Sequence, residues 1–269
     1  MKKLPQTFLP PLLRLFAPFR GDPTFVSFVS FCKTSLSLSA LALALVCTAR
    51  AATTYTFNMD GINTTIPDGD LNGLQNSQTL SGVPGNIFDV NVTLNISGGF
   101  NGDYYAYLTH SGSRAVLLNR VGRTSTSNVG YPDAGFGPDA SANKFTFDDQ
   151  AGHDAHLYRT FSYTLNGSGQ LTGQWQPDGR NIDPLSVGSA FDGASRSNLL
   201  GLFNGLDPNG LWTLYVADVS SGAEGMLMSW GMVIQVPEPS SAALALCALG
   251  AGVLSAAARR RSFRARSSR

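Results

Sequence analysis

The chain is expected to fold as an all-β, jelly-roll-like β-sandwich, and three features of its sequence carry that expectation. Residues 209–236 hold two arms of period-two alternation. Trp212, Leu214 and Val216 alternate with Thr213, Tyr215 and Ala217, and Met228, Trp230, Met232 and Ile234 alternate with smaller or more polar neighbours. Residues 88–96 repeat the pattern, with Phe88, Val90, Val92, Leu94 and Ile96 on one face for core and Asp89, Asn91, Thr93 and Asn95 on the other for water. No segment between 52 and 236 sustains a helical period, and its short apolar runs are separated by Gly-rich turns.

Charge divides the 269 residues into three parts. Residues 1–51 carry six Lys or Arg and one acid, and residues 237–269 carry six Arg and one acid. Residues 52–236 carry seven basic against sixteen acidic residues, a net charge of −9. A surface that acidic repels phosphate backbones and argues against a nucleic-acid partner. Cys32, Cys47 and Cys247 all lie in the flanking parts. The central domain therefore depends on core burial alone, which its length permits.

Residues 36–46 (LSLSALALALV) form an apolar run of signal-peptide length, preceded by Lys33 and followed by Ala49-Arg50-Ala51, an A-x-A site with cleavage expected after Ala51. Cys47 makes a poor lipoprotein anchor, because the bulky Val46 stands where a small residue is wanted. Residues 1–32 are long and proline-broken for the charged start of a signal; either translation begins further on or the leader is extended.

In the central domain, 53–58 opens as a strand, and Ile66-Pro67-Asp68-Gly69 reads as a turn, Pro fixing one dihedral and Gly relaxing another. After the long strand at 88–96, Asn101-Gly102-Asp103 turns the chain into a strand at 104–108. Ser111-Gly112-Ser113 turns it again into 115–119, and a further strand is expected at 160–165. The loop 218–225, with Gly222 and Gly225, is expected to join the two arms of 209–236 as an antiparallel hairpin, with Trp212 and Trp230 inward as structural core.

At the other end Pro237-Glu238-Pro239 precedes eighteen uncharged residues, 241–258, and then Arg259-Arg260-Arg261. Eighteen helical residues span about 27 Å, enough for a bilayer core. Arginines held on the cytoplasmic side leave the acidic domain outside. A permanent anchor is one reading of this segment. The order of Pro-Glu-Pro, apolar helix and terminal arginines also resembles the PEP-CTERM sorting signal of Gram-negative bacteria. That resemblance implies an exosortase-type partner, passage through the inner membrane, residence on the membrane or extracellular surface, and association with surface polysaccharide or matrix.

The central domain carries a second resemblance. Gly210-x-Trp212-x-Leu214-x-Val216-x-Asp218, then Gly225-x-Leu227-x-Ser229-Trp230-x-x-x-Ile234, resembles the end of the P domain (P/Homo B) of proprotein convertases. Ile66-Pro67-Asp68, the 88–96 strand, Gly102-Asp103, Val116-Leu117-Leu118, Phe145-Thr146-Phe147-Asp148-Asp149 and Phe203-Asn204-Gly205 follow in the family's order, so the likeness covers nearly all of 60–236. Residues 151–201 depart from it in length and in Gly and Ser content. In the proteases that carry it, the P domain follows a subtilisin-like catalytic domain, stabilises it and supplies no catalytic residue. The resemblance therefore implies either a stand-alone surface module or an accessory domain for a separate serine endopeptidase. No Gly-x-Ser-x-Gly elbow and no subtilisin-type triad segment occurs here, so no catalytic residue is expected.

Four aspartates, Asp103, Asp148, Asp149 and Asp218, fall at strand ends or turns, where they suit either a structural calcium ion or ordinary turn chemistry. His153 and His156 lack a third ligand at metal spacing and are expected as exposed loop residues, with His110 in a turn. Tyr104, Tyr105 and Tyr107 offer a sugar-stacking strip or, in part, core. The Asn-x-Ser/Thr sites at Asn63, Asn91, Asn95 and Asn166 would matter in a eukaryotic secreted protein, and the tail's resemblance to a bacterial sorting signal implies that they are coincidental.

Overall fold

The computed structural model describes residues 52–138 and 144–238. They form two facing β-sheets with only short helical turns, an all-β sandwich. The larger sheet contains β1 (Ala52–Met59), β2 (Thr64–Ile66), β4 (Asp89–Gly98), β7 (Gly135–Phe136), β8 (Thr146–Phe147), β9 (Gln174–Trp175) and β11 (Gly225–Pro237). Its spine runs β1-β11-β4-β8-β9, with β2 on β11 and β7 on β4. The smaller sheet contains β3 (Leu74–Leu80), β5 (Tyr104–His110), β6 (Ser113–Asn119) and β10 (Gly210–Asp218) in the order β3-β10-β5-β6. Every pairing is antiparallel except β8 with β9. The chain changes sheet between β2 and β3, β3 and β4, β4 and β5, β6 and β7, β9 and β10, and β10 and β11, the jelly-roll-like habit expected from the sequence.

Apart from Phe88 and Met228, the alternating apolar residues face one core. Val90, Val92, Leu94 and Ile96 of β4 and Trp230, Met232, Ile234 and Val236 of β11 pack against Ala106 and Leu108 of β5 and Trp212, Leu214 and Val216 of β10, all buried. Buried indole N–H groups need acceptors. Trp212 Nε1 donates to the Pro208 carbonyl at 2.9 Å, and Trp230 Nε1 donates across the sandwich to Asn76 Oδ1 on β3 at 2.8 Å.

The expected hairpin does not form. β10 pairs with β3 and β5, and β11 pairs with β1, β2 and β4 in the opposite sheet. The loop after Asp218 is long enough to cross the roughly 10 Å between stacked sheets, so nothing compels its two strands to pair. Met228 is likewise not a core position. A β-bulge between Leu227 and Ser229 on β11 shifts the register against β4 and brings Leu227 inward in its place. Phe88 lies just outside β4 and is 51% exposed. The segment 160–165 is not a strand: Ala155–Thr160 forms a 3-10 turn, and Leu165 makes only an isolated bridge to Leu171. By contrast, Ser111 and Gly112 form the two-residue β5–β6 turn with φ of 47° and 80°, both positive as such turns require.

Gly225 is fixed by close approach. A Cβ there would lie 1.8 Å from the hydroxyl oxygen of the buried Tyr104, which donates to the Gly98 carbonyl at 2.8 Å. Gly225→Ala is expected to destabilise the domain by about 1–3 kcal/mol, the range for overpacking, as a lowered urea midpoint with unchanged slope.

Candidate functional site

The first feature is where the two tails leave the domain. β1 begins at Ala52, directly after the expected cleavage point, and its register places Ala52 opposite Pro237 at the end of β11. Pro237 is half-buried in this ladder and Glu238 is exposed. The first and last strands of the described domain thus start and end side by side in the larger sheet. Ala49, Ala51 and Pro239, the helix expected at 241–258 and the terminal arginines lie outside the described residues. Among the described residues no helix is long and apolar enough to cross a membrane.

The four aspartates do not form one cluster. β4 separates them, because ten extended residues span about 30 Å. Asp148 and Asp149 sit near Asp89, where β4 begins. Asp148 caps its own turn by accepting from the Gln150 N–H at 2.7 Å, and Asp149 accepts from the Leu200 and Gly201 N–H groups at 3.1 and 2.6 Å. Burial raises the pKa of Asp149 and of Asp89, and the neighbouring charge of Asp148 adds to both.

Asp103 and Asp218 meet at the other end, joined by Asp68, a residue that sequence spacing did not single out. Arg120 Nη2 donates to Asp103 Oδ1 at 3.1 Å and to Ser220 Oγ at 2.8 Å, while Arg120 Nε donates to the Gly102 carbonyl at 2.8 Å. The Gly222 N–H reaches both oxygens of Asp68, and the Asp70 N–H donates to the Asp218 carbonyl at 3.0 Å. Asp218 is fully buried, and burial together with Asp103 and Asp68 pushes its pKa up to about 6. Its Oδ1 accepts from the Ser220 N–H at 3.3 Å, and its Oδ2 has no hydrogen-bond partner among the described residues. No three His, Cys, Asp or Glu side chains among the described residues form a ready-made metal cage.

Two of the histidines are buried rather than exposed. His156 lies in a charged network inside the 151–201 segment: Nδ1 donates to Asp178 Oδ2 at 2.6 Å and Nε2 to the Arg123 carbonyl at 2.9 Å. Arg180 Nη1 bridges Asp178 at 3.2 Å and Asp154 at 2.9 Å, and Arg196 approaches Asp154 at 3.3 Å. Burial works against the imidazolium, but the charge and hydrogen bond of Asp178 outweigh it and raise the His156 pKa. His110 ends β5, stacked at 4.0 Å on Trp212, with its ring nitrogens on the carbonyls of Leu211 and Asp207 at 3.0 and 2.6 Å. Neither residue has a ring nitrogen available to act as a base on a substrate. His153 is exposed, as expected, and stacks on Phe161.

The tyrosines divide by face. Tyr104 is core, whereas Tyr105 and Tyr107 join Tyr215 on the outer face of the smaller sheet. Tyr107 stacks on Tyr215 at 4.5 Å, and the Arg114 guanidinium covers it at 5.3 Å. A ring occupied in this way leaves no free face for a sugar. The larger sheet offers a different surface, a groove of about 270 Å³ lined by Asn58, Thr93, Asn95 and Ser229 with Asp60 and Lys144 around it. Gly231 underlies it, since a Cβ there would fall 2.8 Å from Thr93 Oγ1 and 3.1 Å from Asn58 Oδ1.

Among protein families, the model described as the PEP-CTERM protein-sorting motif matches residues 235–261. This match indicates an exported, surface-sorted protein, and it begins within the last residues of β11. No curated protein matches the chain significantly. Solved structures similar to it include the Aeromonas sobria serine protease in complex with its chaperone and the same protease alone, each at 15% identity and a TM-score of 0.37. The likeness covers 74% and 73% of this chain and 29% of those chains, so this chain spans well under half the protease's length. At that TM-score the likeness carries no weight for function, and no catalytic family is indicated.

Proposed function

We propose that the chain is a non-catalytic β-sandwich module, exported, processed by an exosortase-type enzyme at its Pro237-Glu238-Pro239 tail, and displayed for association with extracellular polysaccharide. The sorting motif at 235–261 supports the export and display. The groove over Gly231 is the single observation that carries the polysaccharide association. Two amides, two hydroxyls, a carboxylate and an ammonium supply the mixed donors and acceptors that a polyhydroxylated chain pairs with. The net charge of −9 over residues 52–236 selects against strongly anionic polymers and in favour of neutral glycans.

The test immobilises the full-length protein in detergent and passes over it the polysaccharide and protein released from the source cell surface. Retention of neutral glycan is expected. Asn58→Ala combined with Asn95→Ala is expected to weaken it about tenfold, since each lost hydrogen bond is worth about 0.5–1.5 kcal/mol. The P-domain resemblance supports a second reading, an accessory domain for a separate subtilisin-like endopeptidase. Recovery of such a peptidase with no glycan would replace the first reading with that one.

A further inference from the structure

We infer that Asp218, Asp103 and Asp68 form a calcium site that ties three loops together at one end of the sandwich. These residues come from separate segments: the turn after β2, the 3-10 turn Asn101–Asp103 before β5, and the crossover that begins at the end of β10. Asp218 is the centre of the argument. Its carboxylate is fully buried, and its Oδ2 faces no donor among the described residues. An unpaired buried carboxylate oxygen costs free energy unless a cation or a donor reaches it.

Local countercharge is short. Arg120 is the basic group bonded into the cluster, and it is committed to Asp103, Ser220 and the Gly102 carbonyl. The end of the sandwich thus carries three carboxylates to one bonded guanidinium, and hard oxygen ligands on loops suit calcium better than a transition metal. Because the three do not form a ready-made cage, a bound ion keeps several waters. Its affinity then belongs to the weak extracellular range, about 10⁻⁴ to 10⁻³ M. Such a site is at least about half filled at millimolar calcium outside a cell and empty inside one, so the crossover loop would lock only after export. This inference is independent of the groove and of what the groove binds.

The experiment uses the full-length protein in detergent, with calcium, magnesium or chelator, followed by thermal unfolding and by terbium(III) luminescence. Terbium replaces calcium and is excited through nearby aromatic rings, here Tyr104, whose hydroxyl lies within the field of all three carboxylates. Saturating calcium is expected to raise the Tm by about 5 °C. Terbium emission is expected to saturate and to be competed away by calcium. Asp218→Asn should abolish both responses while raising the Tm measured in chelator, because it removes the uncompensated charge. Asp68 is exposed, so Asp68→Asn should fold normally and weaken the calcium response at least severalfold; it decides the matter if Asp218→Asn does not fold. Asp148→Asn with Asp149→Asn should leave the response intact. A wild-type Tm indifferent to calcium, or a response that survives Asp68→Asn unchanged, overturns the inference.

Discussion

Trp212→Ala is expected to lower the stability of the domain by about 4 kcal/mol, a large share of the roughly 5–15 kcal/mol that holds a typical domain folded. Trp212 is fully buried on the interior strand β10 of the smaller sheet, paired with Gln78 of β3 on one side and His110 of β5 on the other. Its removal costs the transfer free energy of the indole and leaves a cavity that two stiff neighbouring strands cannot close. It also strips a face from His110, stacked at 4.0 Å, and an edge contact from Phe203 at 4.9 Å. Trp212→Phe should cost less, near 1–2 kcal/mol, because it keeps most of the ring while leaving the Pro208 carbonyl without its donor. Urea midpoints read both effects. A Trp212→Ala midpoint equal to that of the wild type would remove this residue from the core.

Trp212 and Trp230 also show what was legible in the sequence. Period-two alternation states which side of a strand is buried, and it gave the inward residues of β4 and β10 correctly because each of these strands has one core face and one outer face. It says nothing about which strands pair. β10 and β11 therefore read as a hairpin, although the crossover between them divides Trp212 and Trp230 between opposite sheets. Within β11 a single bulge broke the parity, so Leu227 replaced Met228 in the core with no signal from residue type. At 160–165 the expected strand is absent: the 3-10 turn Ala155–Thr160 ends where it would begin, and the residues after it make only the isolated Leu165–Leu171 bridge.

The candidate sites were legible only where a local motif carries them. The sorting segment is contiguous and was read residue by residue. The aspartates were not, because a cluster is made by the fold: Asp103 and Asp218 are 115 residues apart, and Asp68 entered through the Gly222 N–H across 154 residues. His156 read as a loop histidine because its partners Asp178, Arg180 and Arg123 lie 22 to 33 positions away, at no spacing that any helix or strand would impose.

That network gives the other large expected effect. Asp178→Ala should destabilise the domain by about 3–5 kcal/mol, the cost of breaking a buried ion pair and leaving its partners charged. Asp178 has no exposed surface, and its removal strands His156 and Arg180, both buried, with only Asp154 left to Arg180. Burial of Asp178 is opposed by His156 and Arg180, which together hold its pKa below the ordinary carboxylate value of 3.8. The folded pKa of His156 stands above its ordinary 6.5. The histidine's contribution is therefore complete below pH 6.5 and is lost as pH rises through the raised folded value, whereas that of Asp178 is present above pH 3.8 and is lost as pH falls through the depressed one. Urea midpoints of the wild type between pH 5 and pH 9 should fall on the alkaline side, and His156→Gln, which keeps a donor but cannot titrate, should flatten that limb while lowering the plateau. An alkaline limb equally steep in His156→Gln would assign the pH dependence to another group and leave the Asp178 pair a purely packing element.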